Sequence, residues 1–185
     1  MFLAFRARPF VEQALVVALL ASAALLLSAH LFEWAGYAPC ALCLDQREAH
    51  WAALAIAAGG LGAARLIKAR LAAAAAVGAA ALVYAVSAGL AFFHAGVEFG
   101  FWPGPASCAG AGGGLASVGE LQNALSQKIR GPSCDEAQWR FLGVSMAGYN
   151  LLFSAGLFAL TLAAALQAAR REKEARRLQE AGSAR

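Results

Sequence analysis

The sequence predicts an all-α integral membrane protein, a four-helix bundle with two cysteine-bearing loops outside the cytoplasm. Three observations predict it. Apolar residues make up 61% of the 185-residue chain and charged ones only 14%, too oily for an ordinary soluble domain. Four apolar stretches are separated by charge: Ala14 to Phe32, a run ending at Ala64, Leu71 to Phe93, and Phe141 to Ala169. Each approaches the roughly 20 residues that span a bilayer core as a helix. Finally, basic residues fall mostly on one side of such a bundle.

Taken in order, the elements are helices near 11–32, 41–64, 71–93 and 142–167, with loops near 33–40 and 94–141. Residues 1–169 form one membrane domain and 170–185 a charged tail. A secretory leader is the other reading of the N-terminus, with Arg6 and Arg8 before an apolar run, but that run exceeds the roughly 7 to 15 residues of a leader's core. The second apolar run, Ala49 to Ala64, has only 16 residues. Its helix therefore begins earlier, near Pro39, where proline suits a first helical position, and Cys40 and Cys43 fall on its first turn at the membrane surface. Small residues in "AAGGLGAA" and "AAAAAVGAAAL" let helices approach closely in lipid. "RREKEARRLQEAGSAR" continues the fourth helix as a charged, exposed end, which anionic membrane lipid would suit.

With four helices the N-terminus, the middle loop and the C-terminus share a side, and that side holds 11 of the 15 basic residues. The positive-inside rule makes it cytoplasmic. The opposite side carries Arg47, Lys128, Arg130 and Arg140 with seven acids and every cysteine. The net charge of +4 is therefore topology, and no nucleic-acid partner is read from it. A transporter is poorly supported, since apart from Arg47, with His94 and Glu98 at a helix end, no ionisable residue approaches the midplane.

Thiols outside the cytoplasm meet conditions in which disulfides persist, and four cysteines permit three pairings. Pairing Cys40 with Cys43 and Cys108 with Cys134 is simplest, although exchange between the loops stays open. No metal is expected. A closed zinc site wants two close ligand pairs, whereas Cys108 and Cys134 are 26 positions apart, and Leu44 after Cys43 breaks a C-x-x-C-H haem signature. Bracing could explain Cys108 with Cys134, where loop closure is worth roughly 3 to 4 kcal/mol in the chain-entropy model. A ring as small as Cys40 with Cys43 constrains little, which favours redox chemistry. At a helix N-terminus, unpaired N–H groups and the helix dipole stabilise a thiolate. Arg47, one turn beyond Cys43, adds positive charge on the same face, or else anchors the helix at the interface.

These features in this order resemble the disulfide bond formation protein B family, bacterial inner-membrane enzymes that reoxidise a periplasmic thiol oxidase and pass electrons to quinone. "PCALCLDQR" resembles the family's C-x-x-C-x-x-x-R motif, "FWPGPASC" the approach to its third cysteine, and "CDEAQWRFLGVSM" the stretch after its fourth. The resemblance covers nearly the whole chain. It implies that Cys108 and Cys134 form the disulfide attacked by a reduced thioredoxin-like, DsbA-like periplasmic oxidase, and that Cys40 and Cys43 then receive the electrons. All four cysteines would be catalytic. The implied acceptor is the quinone pool, ubiquinone or menaquinone, with Cys43 in contact, Arg47 in support, and His94 and Met146 at pocket positions. It also implies an inner-membrane location with both termini cytoplasmic.

Alternatives remain for single residues. His94 and Met146 could simply pack, His94 could pair with Glu98 one turn later, and His30 and His50 are read as interfacial. "PASCAGAGGG" is either a mobile carrier of Cys108 or only a surface loop. Between the loop cysteines, "SVGELQNALSQKI" opens on a capping box, Ser117 to Glu120, and carries an apolar stripe for the membrane surface or the bundle. Gln46 stands where the best-known members carry an acid, and the glycine run after Cys108 differs from theirs; both departures bear on partner docking and quinone preference. The rival functions are a specialised relative serving one dedicated partner and a non-enzymatic scaffold braced by disulfides.

Overall fold

A computed structural model describes residues 9–108 and 132–183. Four long helices dominate them: α1 (Phe10–Trp34), α2 (Ala41–Leu66), α3 (Arg70–Glu98) and α4 (Met146–Ser183). A 3-10 turn at Ala106–Cys108 and two short strands, β1 (Arg140–Phe141) and β2 (Val144–Ser145), lie between α3 and α4. Arg6, Arg8, the glycine run after Cys108 and the Ser117–Glu120 capping box lie outside the described residues.

Two boundaries differ from the sequence expectation. Pro39 lies just ahead of α2 rather than at its first position, because Cys40 is the N-cap: its backbone is extended and its sulfur accepts the Cys43 N–H at 3.3 Å. The expected start of the fourth helix near 142 is instead a two-residue hairpin turn. Arg140 pairs with Ser145 and Phe141 with Val144, and Leu142 and Gly143 both adopt positive φ, as a tight turn between right-twisted strands requires. The helix begins only at Met146, then runs unbroken through the charged tail.

α1 and α3 both end at the cysteine-bearing face, and they end alike. In α1 the Tyr37 N–H reaches back to the Phe32 carbonyl and Gly36 N–H to Glu33, with Gly36 at φ 99°. In α3 Phe101 N–H reaches Gly96 and Gly100 N–H reaches Val97, with Gly100 at φ 71°. Each is a Schellman closure, in which a left-handed glycine lets the last carbonyls find donors. The Phe32 and Tyr37 rings, 5.7 Å apart, supply the apolar contact that accompanies the first.

The interior is built from small side chains. Ala14 and Ala18 of α1, Ala53 and Ala57 of α2, Ala73 and Ala80 of α3 and Ala164 of α4 are all buried. At Gly60 a Cβ would come 2.5 Å from the Ala76 Cβ, so α2 and α3 touch there almost backbone to backbone. Large apolar side chains face outward instead, with Leu20 62%, Leu82 71% and Leu152 62% exposed. Such an outer surface suits lipid and not water. α1, α3 and α4 are each long and apolar enough to cross a membrane. The 26-residue α2 matches them in length, but its first turns carry Asp45, Gln46, Arg47, Glu48 and His50, which lower its hydropathy. The chain is thus a helical membrane bundle.

Candidate functional site

The site grows from the first three turns of α2. Residues 43, 46, 47 and 50 fall at helical intervals on one stripe, and all four line one cavity of about 370 Å³. A volume of that order suits a small organic ligand. Its walls are mainly apolar, from Leu25, Leu26 and Phe32 of α1 to Met146, Ala147 and Phe153 of α4. Trp139 and Phe141 form part of the lining, stacked at 6.1 Å between centroids, and Trp139 also meets Phe32 at 5.0 Å. The hairpin after Cys134 thus brings two aromatic rings to the cavity.

The two cysteines of α2 face different ways. Cys43 lines the cavity, whereas Cys40 is turned into a cluster with Leu42, Val97, Cys108 and Cys134. Their sulfurs are 2.7 Å apart as free thiols. The hydrogen bond shared with Cys43, reinforced by burial, pushes the Cys40 thiol well above its ordinary range. Of the two sulfurs, that of Cys43 is the one placed to meet a ligand in the cavity.

Cys108 and Cys134 are joined as a disulfide, with Cα atoms 5.2 Å apart. The loop pair is thus bonded while Cys40 and Cys43 are free, so of the simplest pairing the structure holds one half. Ser133 Oγ donates to Asp135 and lies 3.4 Å from the Cys108 carbonyl, and Gln138 Nε2 donates to the Ala38 carbonyl at 2.8 Å, tying the Cys134 segment down beside Cys40. As a result the Cys40 and Cys134 sulfurs and a His94 ring nitrogen lie within 4.8 Å of one another. Such atoms could ligate a metal, but the Cys134 sulfur is already bonded to Cys108. They are also the atoms a disulfide exchange between the loops would connect.

Arg47 does not point into open water. Its Nη1 donates to Glu33 at 2.6 Å and its Nη2 to the Ala29 carbonyl at 3.0 Å, so the guanidinium lies over the C-terminal end of α1, where helix carbonyls favour a cation. Met146 and His94 both line the cavity. His94 Nε2 is 3.7 Å from the Cys40 sulfur and 3.9 Å from Glu98 Oε1, so the packing, the acid pair and the cavity wall are all occupied by the same ring.

Sequence reasoning missed the polar chain behind this site. Gln46 Nε2 meets His94 Nδ1 at 2.9 Å, Asn150 Nδ2 donates to Gln46 Oε1 at 2.6 Å, and His50 Nε2 meets Asn150 Oδ1 at 2.8 Å. Beyond His50, Ser22 Oγ lies 3.3 Å from His50 Nδ1 and 2.8 Å from the Tyr84 hydroxyl. His50 is therefore buried among all four helices and not interfacial, because Ser22 and Asn150 give both ring nitrogens partners inside the bundle. His30 is the exposed one, 3.7 Å from Glu33. The i, i+3, i+4, i+7 spacing from Cys43 was the available signal for Gln46 and His50; Asn150, one turn after Met146, had a similar one.

Comparison with known proteins bears on this geometry. No curated protein matches the chain, and no solved structure does. A family profile does match, over residues 11–164, which takes in all four cysteines, the cavity and most of the bundle. By that match the chain belongs to the family described as Disulfide bond formation protein DsbB.

Proposed function

We propose that the protein is a thiol:quinone oxidoreductase of the bacterial inner membrane, with both termini cytoplasmic, that reoxidises a periplasmic thioredoxin-like dithiol oxidase and so sustains disulfide formation. The supporting observation is the placement of Cys40, with Cys43 and the cavity on one side and Cys134 on the other. In this reading all four cysteines are catalytic. A partner dithiol attacks Cys108–Cys134 through a mixed disulfide. The partner leaves oxidised, and Cys108 and Cys134 hold its two electrons as thiols. Exchange between Cys134 and a Cys40–Cys43 disulfide moves those electrons to the α2 pair.

The cavity fits a quinone ring by the chemistry of its lining: mainly apolar and aromatic walls, with Cys43, Gln46, Arg47 and His94 among the polar groups toward the thiol end and Met146 on the wall. When bound, quinone accepts two electrons and two protons. Cys43 presents its sulfur to the cavity, Arg47 supplies positive charge beside it, and the aromatic rings exclude water. Either ubiquinone or menaquinone meets this description.

The test is quinone reduction by purified protein in detergent, supplied with a reduced thioredoxin-like oxidase and followed by quinone absorbance. The wild type should turn over with at least one quinone, and Cys43→Ser should not. Turnover retained in Cys43→Ser would sink the mechanism. A wild type inactive with both quinones and several oxidases would leave a dedicated-partner enzyme or a braced scaffold. Those two part on whether a mixed disulfide can be trapped on Cys108 or Cys134.

A further inference from the structure

We infer that Gln46 is a positioning residue: anchored on the Leu42 carbonyl, it holds His94 in the tautomer whose Nε2 carries the proton, so that His94 faces Cys40 only as a hydrogen-bond donor. The inference deepens the thiol:quinone reading and rests on it for its catalytic meaning, but not for the tautomer itself.

The argument is a count of donors and acceptors. Gln46 Nε2 lies 2.9 Å from the Leu42 carbonyl oxygen and 2.9 Å from His94 Nδ1. A backbone carbonyl can only accept, so the amide edge toward Leu42 must be the NH2. Its second hydrogen then points at Nδ1, which must accept. The opposite amide edge agrees, because Gln46 Oε1 receives the Asn150 Nδ2 hydrogen at 2.6 Å. Turning the amide over would set two oxygens against each other at Leu42 and two NH2 groups against each other at Asn150. Gln46 and His94 are 6% and 4% exposed, so water does not stand ready to repair such a mismatch.

A neutral imidazole that accepts at Nδ1 carries its hydrogen on Nε2. That nitrogen faces the Cys40 sulfur at 3.7 Å and Glu98 Oε1 at 3.9 Å, and the Cys134 backbone also accepts from the ring. The same polarity runs on through the bundle. Asn150 Oδ1 receives Ser154 Oγ–H at 3.2 Å and faces His50 Nε2 at 2.8 Å, so His50 also carries its hydrogen on Nε2. One helical carbonyl thereby orients two histidines on different helices.

The consequence for exchange follows with atoms and electrons balanced. The Cys134 thiolate attacks the Cys40 sulfur, the Cys134–Cys40 bond forms, and the Cys40–Cys43 bond breaks with its electron pair leaving on Cys43. The Cys108 thiolate then attacks Cys134, restoring Cys108–Cys134 and releasing Cys40 with an electron pair. Both electrons derive from the partner dithiol. His94 meets the departing Cys40 thiolate with an N–H and keeps its own proton throughout. It steadies the charge and does not act as a base.

Long-range proton–nitrogen correlation on histidine-labelled protein in detergent reads the tautomer directly, and three histidines make assignment simple, the His94 signal being the one lost in His94→Gln. The wild type should show His94 with the hydrogen on Nε2. In Gln46→Glu the new carboxylate can only accept, so the hydrogen should move to Nδ1 or both nitrogens should be protonated. Where the hydrogen moves to Nδ1, Cys40 loses its donor and the exchange rate out of Cys108–Cys134 should fall about tenfold, the size of a lost hydrogen bond to a charged group. A wild-type His94 carrying its hydrogen on Nδ1, or a Gln46→Glu spectrum like the wild type, would overturn the inference. The wild-type spectrum decides the tautomer even where the variant does not fold. It needs neither partner nor quinone, so an inactive protein with the expected tautomer defeats the enzymatic reading alone.

Discussion

At the residue scale the two α2 thiols are unequal, and that inequality makes a prediction. Cys40 is 3% exposed and caps its helix, while Cys43 opens on the cavity. A small apolar alkylating reagent added to the form with free α2 thiols should therefore modify Cys43 first at neutral pH, and peptide mass analysis would find it there. Preferential modification of Cys40 would contradict the assignment. Arg47 supports a second prediction. Its two hydrogen bonds to Glu33 and Ala29 fix the guanidinium beside the cavity, so Arg47→Ala should raise quinone KM about tenfold while the cysteines still oxidise. An unchanged KM would make Arg47 an anchor of α1 to α2 and nothing more. The C-x-x-C pair and Arg47 were legible because spacing on a helix is short-range information. Asn150 and Ser22 were not, since their partner His50 lies 100 and 28 positions away, and only the folded bundle reveals that it has any.

At the element scale, apolar run length and charge gave the number and order of the helices, because a bilayer demands both. Their ends were read less well. The Schellman closure ends α3 only after Glu98, and the Leu142–Gly143 turn delays α4 to Met146; hydropathy registers neither, since both are choices of backbone conformation. Small residues in "AAGGLGAA" pointed to close packing, and Gly60 shows where it is closest. Gly60→Val would drive a side chain into Ala76 and Leu15, and overpacking of this kind costs about 1–3 kcal/mol. Unfolding in detergent by increasing denaturing surfactant should show that loss. At Gly59 a Cβ would meet nothing within 4 Å, so Gly59→Ala should leave stability near that of the wild type. Equal effects at both positions would remove the close α2–α3 contact from the account.

At the scale of the whole molecule, two orders are superposed. One is inverted amphipathy, with small residues inside and Leu20, Leu82 and Leu152 outside. The other is a polar chain that takes Ser22 from α1, His50 from α2, Tyr84 from α3 and Asn150 from α4. In lipid such bonds between helices are worth about 0.6 kcal/mol each on average, too little to hold the bundle but enough to choose which faces meet. Orientation is the remaining degree of freedom, and it was read from charge alone: Arg65, Lys68, Arg70 and the basic α4 tail lie at the end opposite the cysteines. If that end is cytoplasmic, a membrane-impermeant maleimide applied to intact cells should label Arg140→Cys, next to the hairpin turn, and should miss Ser183→Cys at the end of α4 until the inner membrane is permeabilised. The native cysteines are replaced by serine in both variants, so that each reports one position. The reverse pattern would put Cys108 and Cys134 in the reducing cytoplasm, where a thiol oxidase has no use for them, and the proposed electron path would have to be abandoned along with the topology.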